Sequence, residues 1–94
     1  MVEWSTVDGR NAGNISLIAL STCGWCRKCK RLLEKEGVAF RYIYVDLIPS
    51  EHKNRFKETE LKPWNPRLTY PTLIVNEQAI IGFEEDDIRK ALSK

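Results

Sequence analysis

Apolar residues fall along this chain in two rhythms: short unbroken runs, and longer stretches in which they return every three or four positions. The first strong run is Ile15 to Leu20, short, apolar and bounded by turn-forming residues, the pattern of a buried strand. From Cys26 to Glu36 the rhythm changes. Cys26, Cys29 and Leu33 stand at i, i+3 and i+7 with Leu32 beside them, while Lys28, Arg31 and Lys35 take the other side; this predicts a helix, with Gly37 as its end. Phe40 to Val45, rich in aromatic and β-branched residues, predicts a second strand. Pro49 and Ser50 mark the start of a second helix, with Ser50 as the expected N-cap, Glu51 in the first turn, and Phe56 and Leu61 as a weak apolar face. Pro63-Trp64-Asn65-Pro66 ends that helix in a loop. Pro71 to Val75 predicts a third strand, Asn76-Glu77 a two-residue turn, and Gln78 to Ile81 the antiparallel partner. Gly82 breaks that strand. Glu85 to Leu92, acidic first and basic last with Ile88 and Leu92 inward, predicts the closing helix.

The predicted order is β-α-β-α-β-β-α. The first two strong strands are joined by a helix and should be parallel; the last two form a hairpin. Ahead of them, Val2, Trp4 and Thr6 alternate with polar residues, which fits an extra short strand, and Asp8 to Asn14 is turn-rich. Residues 1–14 therefore read as an N-terminal extension, either a hairpin partner or a loose tail, and residues 15–94 as one domain. No internal repeat or dividing linker interrupts it.

Composition narrows the class. The 94 residues suit one small domain, and 43% hydrophobic with 30% charged residues is an ordinary globular balance. A net charge of +2 is too small to imply nucleic acid or a membrane surface as a partner. Met1 to Asn14 is polar and lacks the apolar centre of a secretory signal, and no apolar run approaches membrane-spanning length. Three cysteines cannot form a fully paired disulfide framework. Their clustering reads as a site, and a reducing, cytoplasmic setting is expected.

The chemistry concentrates in Ser21-Thr22-Cys23-Gly24-Trp25-Cys26. A Cys-x-x-Cys between a strand and a helix is the sign of a thioredoxin-like redox site. A helix start presents free backbone N–H groups and the positive end of the dipole, which favour a thiolate over a thiol. Arg27, Lys28 and Lys30 add positive charge. Cys23 is thus the expected nucleophile, exposed and with a lowered pKa, and Cys26, one turn on and covered, the expected resolving thiol. Gly24 allows close approach of a backbone, and Trp25 offers a flat apolar wall. Cys29 falls on the inward face and reads as a small core hydrophobe. A zinc site from Cys23, Cys26 and Cys29 lacks a fourth ligand, since His52 is far along the chain; no metal is expected. His52, Arg67 and the basic run of the first helix read as solvated surface, Trp4 as packed on the sheet, Trp64 as core cover or loop anchor, and Glu84 to Asp87 as helix capping.

With these pieces placed, the chain from Ile15 onward resembles the glutaredoxins and glutaredoxin-like redoxins of the thioredoxin fold. The resemblance rests on Ser-Thr-Cys23-Gly-Trp-Cys26, on Thr69-Tyr70-Pro71-Thr72 and on Ile81-Gly82-Phe83 followed by acidic residues. It implies an α/β fold, a four-stranded mixed sheet flanked by three helices, with room for the extra N-terminal strand. It implies a cis Tyr70-Pro71 bond beside the cysteines, with Tyr70, Pro71, Gly82 and Phe83 joining Gly24 and Trp25 on the substrate side. The implied activity is thiol-disulfide exchange: Cys23 attacks a disulfide and Cys26 resolves the mixed disulfide. Clients would be disulfide-containing proteins or small molecules. Relatives that use glutathione commonly carry Pro-Tyr between the cysteines, Lys three positions before the first, and Gly-Gly before the last helix; here stand Gly24-Trp25, Leu20 and Gly82-Phe83. Glutathione as co-substrate and a ferredoxin- or flavin-dependent protein reductase are both open as electron donor. The rival class is an iron–sulfur cluster carrier using Cys23 with glutathione.

Overall fold

The computed structural model describes residues 2–93, so Met1 and Lys94, the outer bounds of the two expected segments, lie outside it. The elements are β1 (Ser5–Val7), β2 (Ile15–Ala19), α1 (Gly24–Lys35), β3 (Phe40–Tyr44), α2 (Ser50–Phe56), β4 (Thr72–Val75), β5 (Gln78–Ile81) and α3 (Glu85–Leu92). They build one mixed sheet in the order β1-β3-β2-β4-β5. β2 and β3 run parallel, with Ala19 opposite Tyr44; β4 runs antiparallel to β2, and β5 antiparallel to β4.

β2 is buried along its whole length, which is why it reads as a continuous apolar run rather than an alternation: both faces of a central strand are covered. Leu17 and Ala19 face α1 and α3, in a core with Cys29, Leu33, Leu73, Ile88 and Leu92. Ile18 faces the other way, with Ile43, Ile74, Phe56 and Leu61 under α2. Three helices on the two faces of the sheet complete the expected layers.

Several boundaries differ from the sequence reading, each for a local reason. The helix expected from Cys26 begins at Gly24, because Cys23 itself is the N-cap: its backbone is extended and its carbonyl accepts from the Arg27 N–H at 3.2 Å. At the other end Gly37, at φ +70°, closes α1 as expected, with its N–H on the Glu34 carbonyl. Ser50 is not an N-cap. Pro49 holds that position, its carbonyl accepting from His52 and Lys53, and Ser50 is the first helical residue. α2 then widens into a π-turn over Lys57–Leu61, which carries Leu61 back under the sheet. Val45 leaves the strand for a 3-10 turn, Val45–Leu47, and Pro71 stands just before β4 rather than in it.

The extra short strand expected in the leading segment forms, though neither as a hairpin partner nor as part of a loose tail. β1 joins the sheet at its far edge, antiparallel to β3, with Thr6 opposite Arg41, and makes the sheet five-stranded. Thr6 is exposed, so the expected alternation holds only for Val2 and Trp4. The turn-rich stretch behind β1 continues along the chain before β3, where Arg10 N–H bonds the Gly37 carbonyl at 2.7 Å and Ala39 N–H bonds the Arg10 carbonyl at 2.8 Å.

Candidate active site

The two parallel strands β2 and β3 finish at the same end of the sheet, and the loop after β2 carries the Cys-x-x-Cys there. The Cys23 N–H closes a turn onto the Leu20 carbonyl at 3.2 Å, which aims the chain into α1. The Cys26 N–H then lies 3.3 Å from the Cys23 sulfur, so the capping side chain of this helix is a thiol. Partial burial of Cys23 disfavours its charge, but it is outweighed: the Cys26 thiol, the Cys26 and Trp25 amides and the Arg27 guanidinium together bring its pKa below the ordinary thiol value. Of the expected cations Arg27 is the one that stands among the main causes, and it is the smallest of them. Lys28 lies over the Trp25 ring, 4.5 Å from its centroid, and Lys30 over Tyr42 at 4.7 Å and beside Glu34.

Cys26 is buried, 1% exposed, while Cys23 is half-buried. Burial, the hydrogen bond it gives to Cys23 and the negative charge there push the Cys26 thiol up to about 12. Cys29, fully buried, is pushed up to about 12 by burial alone. It sits in the core as the helical pattern predicts. Among the described residues no three His, Cys, Asp or Glu side chains are arranged to hold a metal ion.

Trp25, Tyr70, Pro71, Gly82 and Phe83, distant in sequence, line one open groove of about 260 Å³. Trp25 is 58% exposed and stacks on Phe83, ring centroids 6.0 Å apart and 28° from parallel. Gly24 is exposed, with open space where a side chain would stand. The Tyr70-Pro71 bond is cis, and the Gly82 N–H bonds the Pro71 carbonyl at 2.8 Å, which joins the two sides of the groove. Glu84, Glu85, Asp86 and Asp87 stand exposed at the start of α3 beside it.

Two contributors escape the sequence reading. Asn65, expected only as part of a loop, is fully buried: its amide nitrogen lies 2.9–3.0 Å from the Thr69 carbonyl, the Thr69 hydroxyl and the Thr72 hydroxyl, and its carbonyl oxygen accepts from the Arg67 N–H. It braces the loop that delivers Tyr70 and Pro71. Its signal was an Asn between two prolines, which reads as a turn residue whether its side chain points in or out. The second is Asp46, whose carboxylate accepts from both the N–H and the hydroxyl of Ser21. Trp64, His52 and Arg67 lie away from the groove. Trp64 lines a larger cleft of about 610 Å³, with Trp4, Arg41 and Ser16, on the α2 face of the sheet. His52 is half-exposed beside Glu51, and Arg67 is exposed.

A thiol capping a helix at the end of a central strand, a second thiol one turn beneath it and a cis-proline loop opposite define a thioredoxin-like dithiol site. The sequence profile of the glutaredoxin family matches residues 15–80, and the chain belongs to that family. It is 39% identical to a glutaredoxin structure from Methanosarcina mazei Go1, with a TM-score of 0.86 over 97% of this chain and 88% of that one. It is 42% identical to the Methanosarcina acetivorans methanoredoxin, with a TM-score of 0.85 over 92% and 90% of the two chains. Among curated relatives, glutaredoxin 3 of Escherichia coli K12 is 28% identical over 72 residues, 77% of this chain and 80% of that protein. The family places the chain among the thiol-disulfide oxidoreductases. No helix among the described residues is long and apolar enough to cross a membrane.

Proposed function

We propose that this protein reduces disulfides of proteins and small molecules through the Cys23–Cys26 dithiol. The observation that carries the reading is the Cys23 sulfur, held as a helix cap by the Cys26 N–H, with the Cys26 thiol buried beneath it. The Cys23 thiolate attacks one sulfur of the client disulfide. A Cys23–client bond forms, the client's own S–S bond breaks, and its other sulfur leaves as a thiolate that takes up a proton. The negative charge on Cys23 is then gone, and with it two of the causes that keep Cys26 protonated: the hydrogen bond it gave and the repulsion from that charge. Cys26 loses its proton more readily at that moment, attacks Cys23 and expels the second client sulfur. Two electrons have passed to the client, and Cys23–Cys26 is oxidised.

The groove of Trp25, Tyr70, Pro71, Gly82 and Phe83 would seat the client chain, with the Tyr70 backbone pairing an extended segment. The Cys23–Cys26 disulfide is reduced back to the dithiol by two electrons, from two molecules of glutathione or from a ferredoxin- or flavin-dependent protein reductase. The four carboxylates from Glu84 to Asp87, beside the end of the groove where a small anionic thiol would put a carboxylate, weigh toward the reductase. The cluster-carrier alternative is not favoured: a resolving sulfur in reach of the nucleophile serves exchange and is superfluous for a ligand set of Cys23 with glutathione. Insulin reduction with each donor supplied separately tests the reading. Cys23→Ser should abolish turnover with every donor and Cys26→Ser should accumulate mixed disulfides; full activity in the Cys23 variant would end it.

A further inference from the structure

The register of the two parallel strands runs on past their ends. Ser16, Leu17, Ile18 and Ala19 each oppose the residue 25 positions later, and Ser21 and Asp46 keep the same offset beyond the last backbone pair. There the ladder is replaced by a side chain: Asp46 Oδ1 accepts the Ser21 N–H at 2.9 Å, and Oδ2 accepts the Ser21 hydroxyl. The 3-10 turn Val45–Leu47 presents this carboxylate, and Lys53 of α2 reaches the Asp46 carbonyl at 3.5 Å. Ser21 stands two residues before Cys23, inside the turn closed by the Cys23 N–H on Leu20.

We propose that Asp46 is the positioning residue of the nucleophile loop: by gripping both donors of Ser21 it fixes the two-residue approach to Cys23, and so keeps the sulfur where the amides of α1 can reach it. Without the carboxylate the Ser21 N–H loses its acceptor, the turn relaxes, and the Cys23 sulfur drifts from the Cys26 N–H. The effect is one of geometry. The groups that lower the pKa of Cys23 are the Cys26 thiol, the Cys26 and Trp25 amides and Arg27; the charge of Asp46 is not among them and instead acts on the nearby Tyr70 hydroxyl, which burial and that charge push up. This role rests on Cys23 as the nucleophile.

The test is the pH dependence of iodoacetamide alkylation of Cys23 in the full reduced chain, with mass spectrometry locating the adduct, in the parent and in Asp46→Ala, Asp46→Asn and Ser21→Ala. In Asp46→Ala the rate at pH 7 should fall about fivefold, the worth of one hydrogen bond, while the limiting rate at high pH is unchanged. Asp46→Asn keeps an acceptor for the Ser21 N–H and should fall less, as should Ser21→Ala, which loses only the hydroxyl bond. Profiles superimposable on the parent, with a lower melting temperature or without, would overturn the proposal. A shift toward lower pH in both Asp46 variants would also overturn it, since that is the sign of lost negative charge rather than lost position. Should Asp46→Ala fail to fold, the other two variants decide by the same criteria. A parent profile that titrates like a free thiol sinks the nucleophile itself, a separate result.

Discussion

At the scale of single residues, the lowered pKa of Cys23 comes mostly from donors its own helix supplies, and the order of their contributions can be tested. The Cys26 thiol is the largest favourable contributor and Arg27 the smallest of those named. A lowered pKa means that the thiolate exists at every pH above the lowered value, so alkylation should switch on as pH rises through a midpoint below the ordinary thiol range. Cys26→Ala removes the strongest donor and should move that midpoint up; Arg27→Ala should move it up by less. A larger shift from Arg27 in a rate–pH titration would show that charge, not hydrogen bonding, governs the site. The basic run of α1 invited that second view, and sequence alone could not show that Lys28 and Lys30 spend their charge on aromatic faces. Asn65 is the opposite case, a residue whose importance lies wholly in burial. Asn65→Ala takes the amide donor from the buried Thr72 hydroxyl and leaves the Thr69 carbonyl with the Thr72 hydroxyl alone, and should cost about 1–3 kcal/mol in urea unfolding. It should also slow insulin reduction through the displaced Tyr70-Pro71 loop. Cys29→Ala should cost about 1 kcal/mol for the sulfur's packing and leave turnover unchanged.

Elements were legible where the apolar rhythm was undisturbed, and opaque where a side chain or a second strand decided the outcome. β2, α1, the β4–β5 hairpin and α3 follow from periodicity, and the candidate dithiol follows from its place between β2 and α1. The hairpin turn puts Asn76 at φ 57°, a conformation Asn tolerates better than most residues, and the Asn76 side chain also accepts the Asn14 N–H at 3.0 Å. The apolar periodicity of α1 begins only at Cys26, while the helix begins at Gly24 with Cys23 as its cap, just before the first turn, where the Cys-x-x-Cys reading puts it. The π-turn after α2 was hidden because its apolar anchor, Leu61, lies in a run of charges. The partner of β1 could not be read because an edge strand needs only one suitable neighbour, and periodicity does not say which. One glycine records that docking. A Cβ on Gly9 would lie 2.6 Å from the Gly37 carbonyl oxygen and 2.6 Å from the Val38 carbonyl carbon, both backbone atoms that cannot step aside. Gly9→Ala should therefore displace the leading segment and lower the melting temperature, by several degrees for a loss of about 1–2 kcal/mol. An unchanged melting temperature would mean that this close approach is not kept in solution.

The whole molecule separates its candidate site from its outer edge. Cys23, Cys26 and the cis-proline loop hang on β2, α1 and β4, the middle of the sheet, whereas β1 lies two strands away from β2 on the far side of β3. What β1 contributes is cover. It pairs the outer edge of β3, and the chain just before it brings Trp4 against Phe56 at 5.8 Å and under the Arg41 guanidinium at 3.9 Å. A chain beginning at Asp8 would keep the Arg10 bonds to Gly37 and Ala39 but would lose the Trp4 packing and leave β3 as a bare edge. Burial of part of an aromatic side chain is worth about 2 kcal/mol, so the truncated protein should unfold at lower urea with its Cys23 alkylation profile unmoved. Phe40 and Ile43 are buried and Tyr42 and Tyr44 half-buried along β3, so the exposed edge would be both unpaired and apolar, a template for a second copy. Association that grows with concentration in sedimentation velocity should appear in the truncated chain and be absent from the parent. An alkylation profile that shifts while the truncated chain stays folded would show instead that the edge strand reaches the sulfur, and that this sheet does not divide its labour by position.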